Sequence, residues 1–536
     1  MNKIYKVIWS KARNCYVVVS ELAKRNGKNT TSTDKRRKVT AGLAMAAMAV
    51  VMNMGIAGNA EAVYSASNTT IRADTYQNAI IAGEDNRAYT PHSIAIGTEQ
   101  AGIGRYRNST IDSVDKGGYS IAIGTGSRNN TYGYNETYGY YANTKNSIAI
   151  GHFAHTHAAN AFAIGMSTDA SGERSFAIGT SSTEIDEQHR GASSAGQGSI
   201  AFGDQAVVGT KIPSSLSTTE RERRGTDIRV NDSIAVGTNS FAQARNALAL
   251  GGGISYTYHE NAGTSKMTNK TMYYNGAKWV ADAEGTGANV GVGADGGVAI
   301  GGATGTVTGE LGATYFPTGE PGGVDGYTAA ASIGKDAKRA IAIGSGSMVG
   351  DGAENSVAIG ARNIVTGRNS TAVGQANQVA GEGSGAFGDP NYVSGNASFA
   401  FGDNNKVGKY VVTGGVLQPD VTTSHVFTVG DGNEIVTDRG RATTINVFGS
   451  TNKVTGDDIA ATELSFINIL GSSNQLLGGY GSSSYSSIIG NKNTVTTQIY
   501  NTLVAGNGNN NLSRITNSQI IGNNNKAIGS YVSDLM

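Results

Sequence analysis

Between residues 355 and 407 one pattern returns every fourteen residues. Asn355-Ser356-Val357-Ala358-Ile359-Gly360 is followed by Asn369-Ser370-Thr371-Ala372-Val373-Gly374, then by Ser384-Gly385-Ala386-Phe387-Gly388 and Ser398-Phe399-Ala400-Phe401-Gly402. Val365, Val379, Val393 and Val407 make a second column at the same spacing, and Gly367, Gly381 and Gly395 a third. So short a period has room for two short strands and two turns per copy, and each copy can bury its apolar residues only by stacking on the next. The fold class this implies is all-β, a parallel β-solenoid. Strands would repeat about 4.8 Å apart, so that about twenty copies make a rod of roughly 100 Å.

The same motif occurs upstream at Ser93–Gly97, Ser120–Gly124, Ser147–Gly151, Ala161–Gly165, Ser175–Gly179, Ser199–Gly203 and Ser233–Gly237. Large apolar residues alternate within it, which places them on one strand face. That face is expected to be the repeat core: Ile94, Ile96, Ile121, Ile123, Ile148, Ile150, Phe162, Ile164, Phe176, Ile178, Val357, Ile359, Phe399 and Phe401. Gly97, Gly124, Gly151, Gly165, Gly179, Gly360, Gly374, Gly388 and Gly402 end the strand and supply a turn that a side chain would obstruct. The residue between the large ones is nearly always alanine, as at Ala95, Ala122, Ala149, Ala163, Ala177, Ala358 and Ala372. A solvated strand face would carry polar residues. The alanine face is therefore expected to lie outside and to be covered by neighbouring chains, since a coil of this size encloses little core of its own.

Composition narrows the alternatives. Glycine is 76 of 536 residues but proline only six, which excludes collagen. Charged residues are 15%, too few for disorder driven by charge. Residues 1–62 hold eleven Lys or Arg against three Asp or Glu, so the remainder is mildly acidic. That balance gives no basic footprint for nucleic acid.

The N-terminal segment reads as an export signal. Lys35-Arg36-Arg37-Lys38 precedes a small-residue and apolar run from Thr40 to Gly58, and Ala60-Glu61-Ala62 is a cleavage pattern. Cleavage is expected between Ala62 and Val63, and the segment is expected to be helical. The sole cysteine, Cys15, lies within it, so the exported part holds no disulfide. Ahead of the basic run, Asn2-Lys3-Ile4-Tyr5, Val7-Ile8-Trp9-Ser10 and Val17-Val18-Val19-Ser20-Glu21-Leu22-Ala23 resemble the extended signal peptide region of Gram-negative autotransporters.

The Ser-Val/Ile-Ala-Ile-Gly motifs over residues 79–410 resemble the YadA-like head of trimeric autotransporter adhesins. The resemblance implies a left-handed parallel β-roll, a homotrimer and display at the surface of a Gram-negative-type cell, on the outer membrane. Its function would be adhesion to host matrix, host cells or other bacteria. The alternative is a surface or biofilm scaffold with no receptor. The family ends in a heptad stalk and a barrel anchor, whereas residues 519–536 are still repeat-like; either the chain is truncated or its anchor lies elsewhere, and membrane attachment is expected only if missing C-terminal sequence supplies an anchor.

The organisation expected is 1–62 for export, 63–410 for head repeats, 411–426 as a boundary and 427–536 as an asparagine-rich continuation. Segments at 98–119, 125–146, 180–198, 204–232, 252–297 and 303–331 interrupt the repeat, and loops on one side of the solenoid would accommodate them. The largest insert, 252–297, contains Tyr273-Tyr274-Asn275-Gly276 ahead of Trp279, a hairpin signal. Its aromatics either pack the insert onto the solenoid or form a ligand-contacting loop of Tyr273, Tyr274 and Trp279. From 427 the period widens to 16–22 and asparagine follows each glycine, at Asn433, Asn452, Asn474, Asn493, Asn509 and Asn524. Such residues tolerate left-handed turns and form side-chain ladders.

Candidate chemical sites are weak. His152, His155 and His157 lie together without the carboxylate or cysteine that completes a metal site. Asp389, Asp403 and Asp431 follow repeat glycines but lack a calcium nonapeptide pattern. Glu220, Arg221, Glu222, Arg223 and Arg224 read as a solvated loop. No nucleophile elbow, P-loop or His-Glu-x-x-His occurs. The expectation is no enzyme, no cofactor and no metal.

Overall fold

Alternation along a strand defines two faces but not which of them meets the lumen of a stack. The computed structural model describes almost all of 146–180, 191–209, 230–259, 287–307, 323–436, 440–456, 463–477, 482–527 and 532–533. It also describes 5–10, 15–20, 269–274, 279–280 and short strands between 80 and 129. Cleavage residues Ala62 and Val63, turn residue Gly97 and the charged loop at 220–224 lie outside the described residues.

Residues 1–60 form a separate unit. The expected helix is not found at its described positions: Tyr5–Ser10 pairs antiparallel with Cys15–Ser20. Both segments are rich in valine, isoleucine and aromatic residues, which favour extended backbone.

Residues 61–536 form the second unit; among its described residues each regular coil gives one short strand to each of two parallel sheets, and the longer coils give the first sheet a strand of up to ten residues or two short ones. In the first sheet Ile148–Ile150 pairs with Phe162–Ile164, which pairs with Phe176–Ile178, and so on through Val357, Thr371 and Gly385. In the second, Ile364–Val365 pairs with Gln378–Val379 and then with Tyr392–Val393. Both sheets run on across 411–426, where Phe399–Phe401 pairs with Phe427–Val429 and Lys406–Val407 with Glu434–Ile435.

The faces of the first sheet are the reverse of the expectation. Ala95, Ala122, Ala149, Ala163, Ala177, Ala358, Ala372 and Ala400 are fully buried. The expected core residues Ile94, Ile96, Ile121, Ile123, Ile148, Ile150, Phe162, Ile164, Phe176, Ile178, Val357, Ile359, Phe399 and Phe401 are half-buried or exposed. The lumen explains this. Fourteen residues bring the two sheets so close that alanine fits opposite the buried Val349, Val365, Val379, Val393 and Val407, and a larger inward residue would overfill the space. Where coils lengthen, the inward position grows to Val447, Ile469, Ile488, Val504 and Ile520, joined by Ile445 and Ile467.

The turn glycines behave as expected. Gly360 and Gly374 have φ of +122°, and a Cβ on Gly374 would stand 2.1 Å from the carbonyl oxygen of Gly388. Only glycine combines that backbone with so close a neighbouring coil.

Two polar columns complete the interior. Ser356, Ser370 and Ser384 accept the next coil's backbone N–H at 3.1 Å each and donate to the carbonyls of Gly367, Gly381 and Gly395 at 2.8 Å. The second column is an asparagine ladder, longer than expected. It starts at Asn363, Asn377, Asn391 and Asn405, within the fourteen-residue coils, and continues through Asn433, Asn452, Asn474, Asn493 and Asn509. Each Nδ2 after the first donates to the Oδ1 of the asparagine below and to a glycine carbonyl of the coil above, as Asn433 does to Asn405 at 2.9 Å and Gly449 at 2.8 Å. Asn525, not Asn524, caps the ladder on Asn509; Asn524 occupies a left-handed corner instead.

Inserts leave the roll at both corners rather than on one side. Those at 252–288 and 302–331 run from the first sheet to the second, whereas 209–233 and 408–419 run from the second to the first. The last is anchored by Asp420. Burial raises the pKa of its carboxyl. The hydroxyl and amide of Thr422, the hydroxyl of Thr423 and the amide of Lys409 outweigh this and hold it below the usual carboxylate range. A depressed folded pKa contributes stability above the unfolded value of about 3.9, lost as pH falls through the folded one. Unfolding followed against pH should therefore show weakening below about pH 4, and Asp420→Asn should flatten that part of the profile while lowering stability at pH 7.

Candidate functional site

Outward large side chains give the first sheet's outer face an apolar column along its described length. Ile96, Ile164, Phe202, Leu250, Ile359, Phe448, Leu470, Ile489 and Ile521 stand in one column and are all exposed. Phenylalanines stack on this face: Phe387 on Phe401 at 4.6 Å within that column, and Phe162 on Phe176 at 4.7 Å in the column two residues before it. A continuous apolar column of this kind marks a protein contact. The sequence led to an exposed alanine face; in the structure the alanines are buried and isoleucine and phenylalanine stand outside.

The second surface is built by inserts. In the first, Ser255–His259 pairs antiparallel with Asn269–Tyr274, which pairs with Trp279–Val280, so the expected hairpin forms. Tyr273 and Trp279 sit in these strands opposite Val280 and Tyr274; their side chains lie outside the described residues. The next insert pairs Thr304–Val307 with Val324–Thr328. Their parent strands, Leu248–Leu250 and Val298–Ile300, are neighbours in the first sheet, so the two inserts leave adjacent coils. Tyr274 meets Tyr327 edge-on at 5.1 Å. Burial, then Tyr274, pushes the Tyr327 phenol up. Arg362 donates to the Thr328 hydroxyl at 3.1 Å and ties the second insert to the roll.

The histidines come together only in part. His155 and His157 meet edge to face at 5.9 Å, and His157 Nε2 is 3.5 Å from Asp169. Burial lowers the pKa of His152. No group of three metal-ligating side chains occurs among the described residues. Asp403 and Asp431 serve as turn acceptors: Asp389 N–H donates to Asp403 Oδ1 at 2.9 Å and Asp403 N–H to Asp431 Oδ1 at 3.0 Å.

Two family models match the chain. Residues 1–50 match the extended signal peptide of the type V secretion system. Residues 145–168, 231–253 and 352–377 match the YadA head domain repeat. No curated protein matches it. The matched repeats are coils of the roll described above, and the matched leader directs export and display at the cell surface. A type V export signal ahead of YadA-type head repeats supports a trimeric autotransporter adhesin, an adhesin-type surface protein.

Proposed function

We propose that three copies of the chain pack through the outer face of the first sheet, and that the resulting head attaches the cell to host matrix, host cells or other bacteria. The exposed Ile/Phe column carries this reading, because a lone roll would leave it in water along its described length. Sedimentation of the full chain should give a trimer; a stable folded monomer would overturn the assembly. The insert hairpins with Tyr273, Tyr274 and Trp279 supply the contact points, repeated once per copy, so weak single contacts combine by avidity. Solid-phase titration of the full chain on matrix proteins, host cells and bacteria should show saturable binding, reduced several-fold by Trp279→Ser. If no surface binds saturably, the scaffold reading replaces adhesion.

A further inference from the structure

On the outer face of the first sheet two columns exchange chemistry in the longer coils. The column two residues before the exposed Ile/Phe column is apolar at Phe399 and Phe427 and becomes polar at Asn446, Asn468 and Ser487. The corner column two residues earlier does the opposite. It holds His92 and Tyr119 near the start, Asn355 and Asn369 in the regular coils, Ala397, His425 and Thr444 next, then Phe466 and Tyr485, then Asn501 and Asn517.

The corner backbone is left-handed throughout, with φ of +57° at Asn355, +50° at Phe466 and +49° at Tyr485. Asparagine accepts that conformation, whereas a bulky aromatic residue there is an outlier. Phe466 and Tyr485 therefore strain the fold they sit in, and such outliers point to a role outside it. Both rings are exposed. They stack on each other at 4.8 Å and 9°, and Tyr500 closes against Tyr485 edge-on at 5.8 Å. Stacked rings cover one another's faces and present their edges outward. A sugar ring needs a free face, whereas a row of ring edges fits a protein groove.

A repeating apolar column adds a second consideration. Similar coils make similar contacts after a slip of one coil, about 4.8 Å, so such a column does not set the axial register between copies. A slipped contact gives an open arrangement rather than a closed one. Local, non-repeating features on this face are the Tyr119–His92 stack near its start, at 4.9 Å and 10°, and the larger aromatic ridge in the longer coils, in the same strands as Leu470 and Ile489. Between ridge and column, Asn446 Nδ2 donates to Asn468 Oδ1 at 2.9 Å, so that amide pair is joined along the stack.

We propose that Phe466, Tyr485 and Tyr500 form a ridge that seats on a second copy of this chain and sets the register between copies. The proposal rests on the reading that the outer face of the first sheet joins copies. It is tested on the full chain with Cys15→Ser as background. Tyr485→Cys should cross-link copies through a short bis-maleimide, and Ile359→Cys should do so in the regular coils. Lys453→Cys on the second sheet should not. Phe466→Asn with Tyr485→Asn restores the residue the corner column uses elsewhere, so the fold should hold or gain stability. The same pair should cut the Ile359→Cys cross-link about tenfold, the loss expected of a contact hot spot. If Ile359→Cys cross-links while the thiol of the Tyr485→Cys variant stays open to a bulky reagent, the ridge faces solvent and the proposal falls. If Ile359→Cys fails as well, the shared face itself is wrong and the proposal falls with it.

Discussion

Asn433→Ala is expected to destabilise the roll by about 4 kcal/mol, because it orphans several buried groups at once. The Asn433 side chain donates to Asn405 Oδ1 and to the Gly449 carbonyl, and its Oδ1 accepts both the backbone N–H and the Nδ2 of Asn452 at 3.0 Å. Asn433 is fully buried and water has no access to replace these bonds. Each orphaned group costs about 1–3 kcal/mol. The ladder exposed on the surface supplies the control. Asn507 Oδ1 accepts from Asn491 Nδ2 at 3.2 Å, but at an exposed site. Asn507→Ala should cost under about 1 kcal/mol, since the freed groups turn to solvent. Denaturant unfolding of both variants measures the difference, and equal losses would contradict a buried ladder as the main polar support.

The second large effect is expected at Ala358. It pairs in register with Ala342 below and Ala372 above, all three fully buried. Ala358→Leu adds three carbons to a filled lumen and should cost about 3 kcal/mol, the upper end for overpacking. At the neighbouring Ile359, 37% exposed, Ile359→Ser should change single-chain stability by only about 1 kcal/mol and weaken association instead. Unfolding and sedimentation of the two variants separate the effects. The opposite outcome, with Ile359→Ser unfolding the coil and Ala358→Leu tolerated, would restore the isoleucine core.

Much of the architecture was legible in the residues themselves. The columns at Gly360, Gly374, Gly388 and Gly402 gave the coil length and the turn, because a glycine that recurs at one spacing marks a place where backbones approach. The ladder from Asn433 onward was legible for the same reason. Its earlier members Asn363, Asn377, Asn391 and Asn405 were missed, although they stand fourteen apart and each lies three residues after a repeat glycine. The aromatic ridge was not legible: Phe466 and Tyr485 are nineteen residues apart in coils of uneven length. Only strand pairing sets them side by side, through Ser465 and Ser484.

The sequence by itself determined the period, the two strands and two turns per coil, and the existence of two unlike faces on the first sheet. Period-two alternation carries that much and no more. Which face turns inward was decided by the tertiary structure, through the spacing between the sheets. In a fourteen-residue coil that spacing admits alanine opposite valine and expels isoleucine and phenylalanine to the outside. In the longer coils the buried position holds Ile469 and Ile488 instead. The residues that read most plainly as a core are therefore the residues left for neighbouring copies.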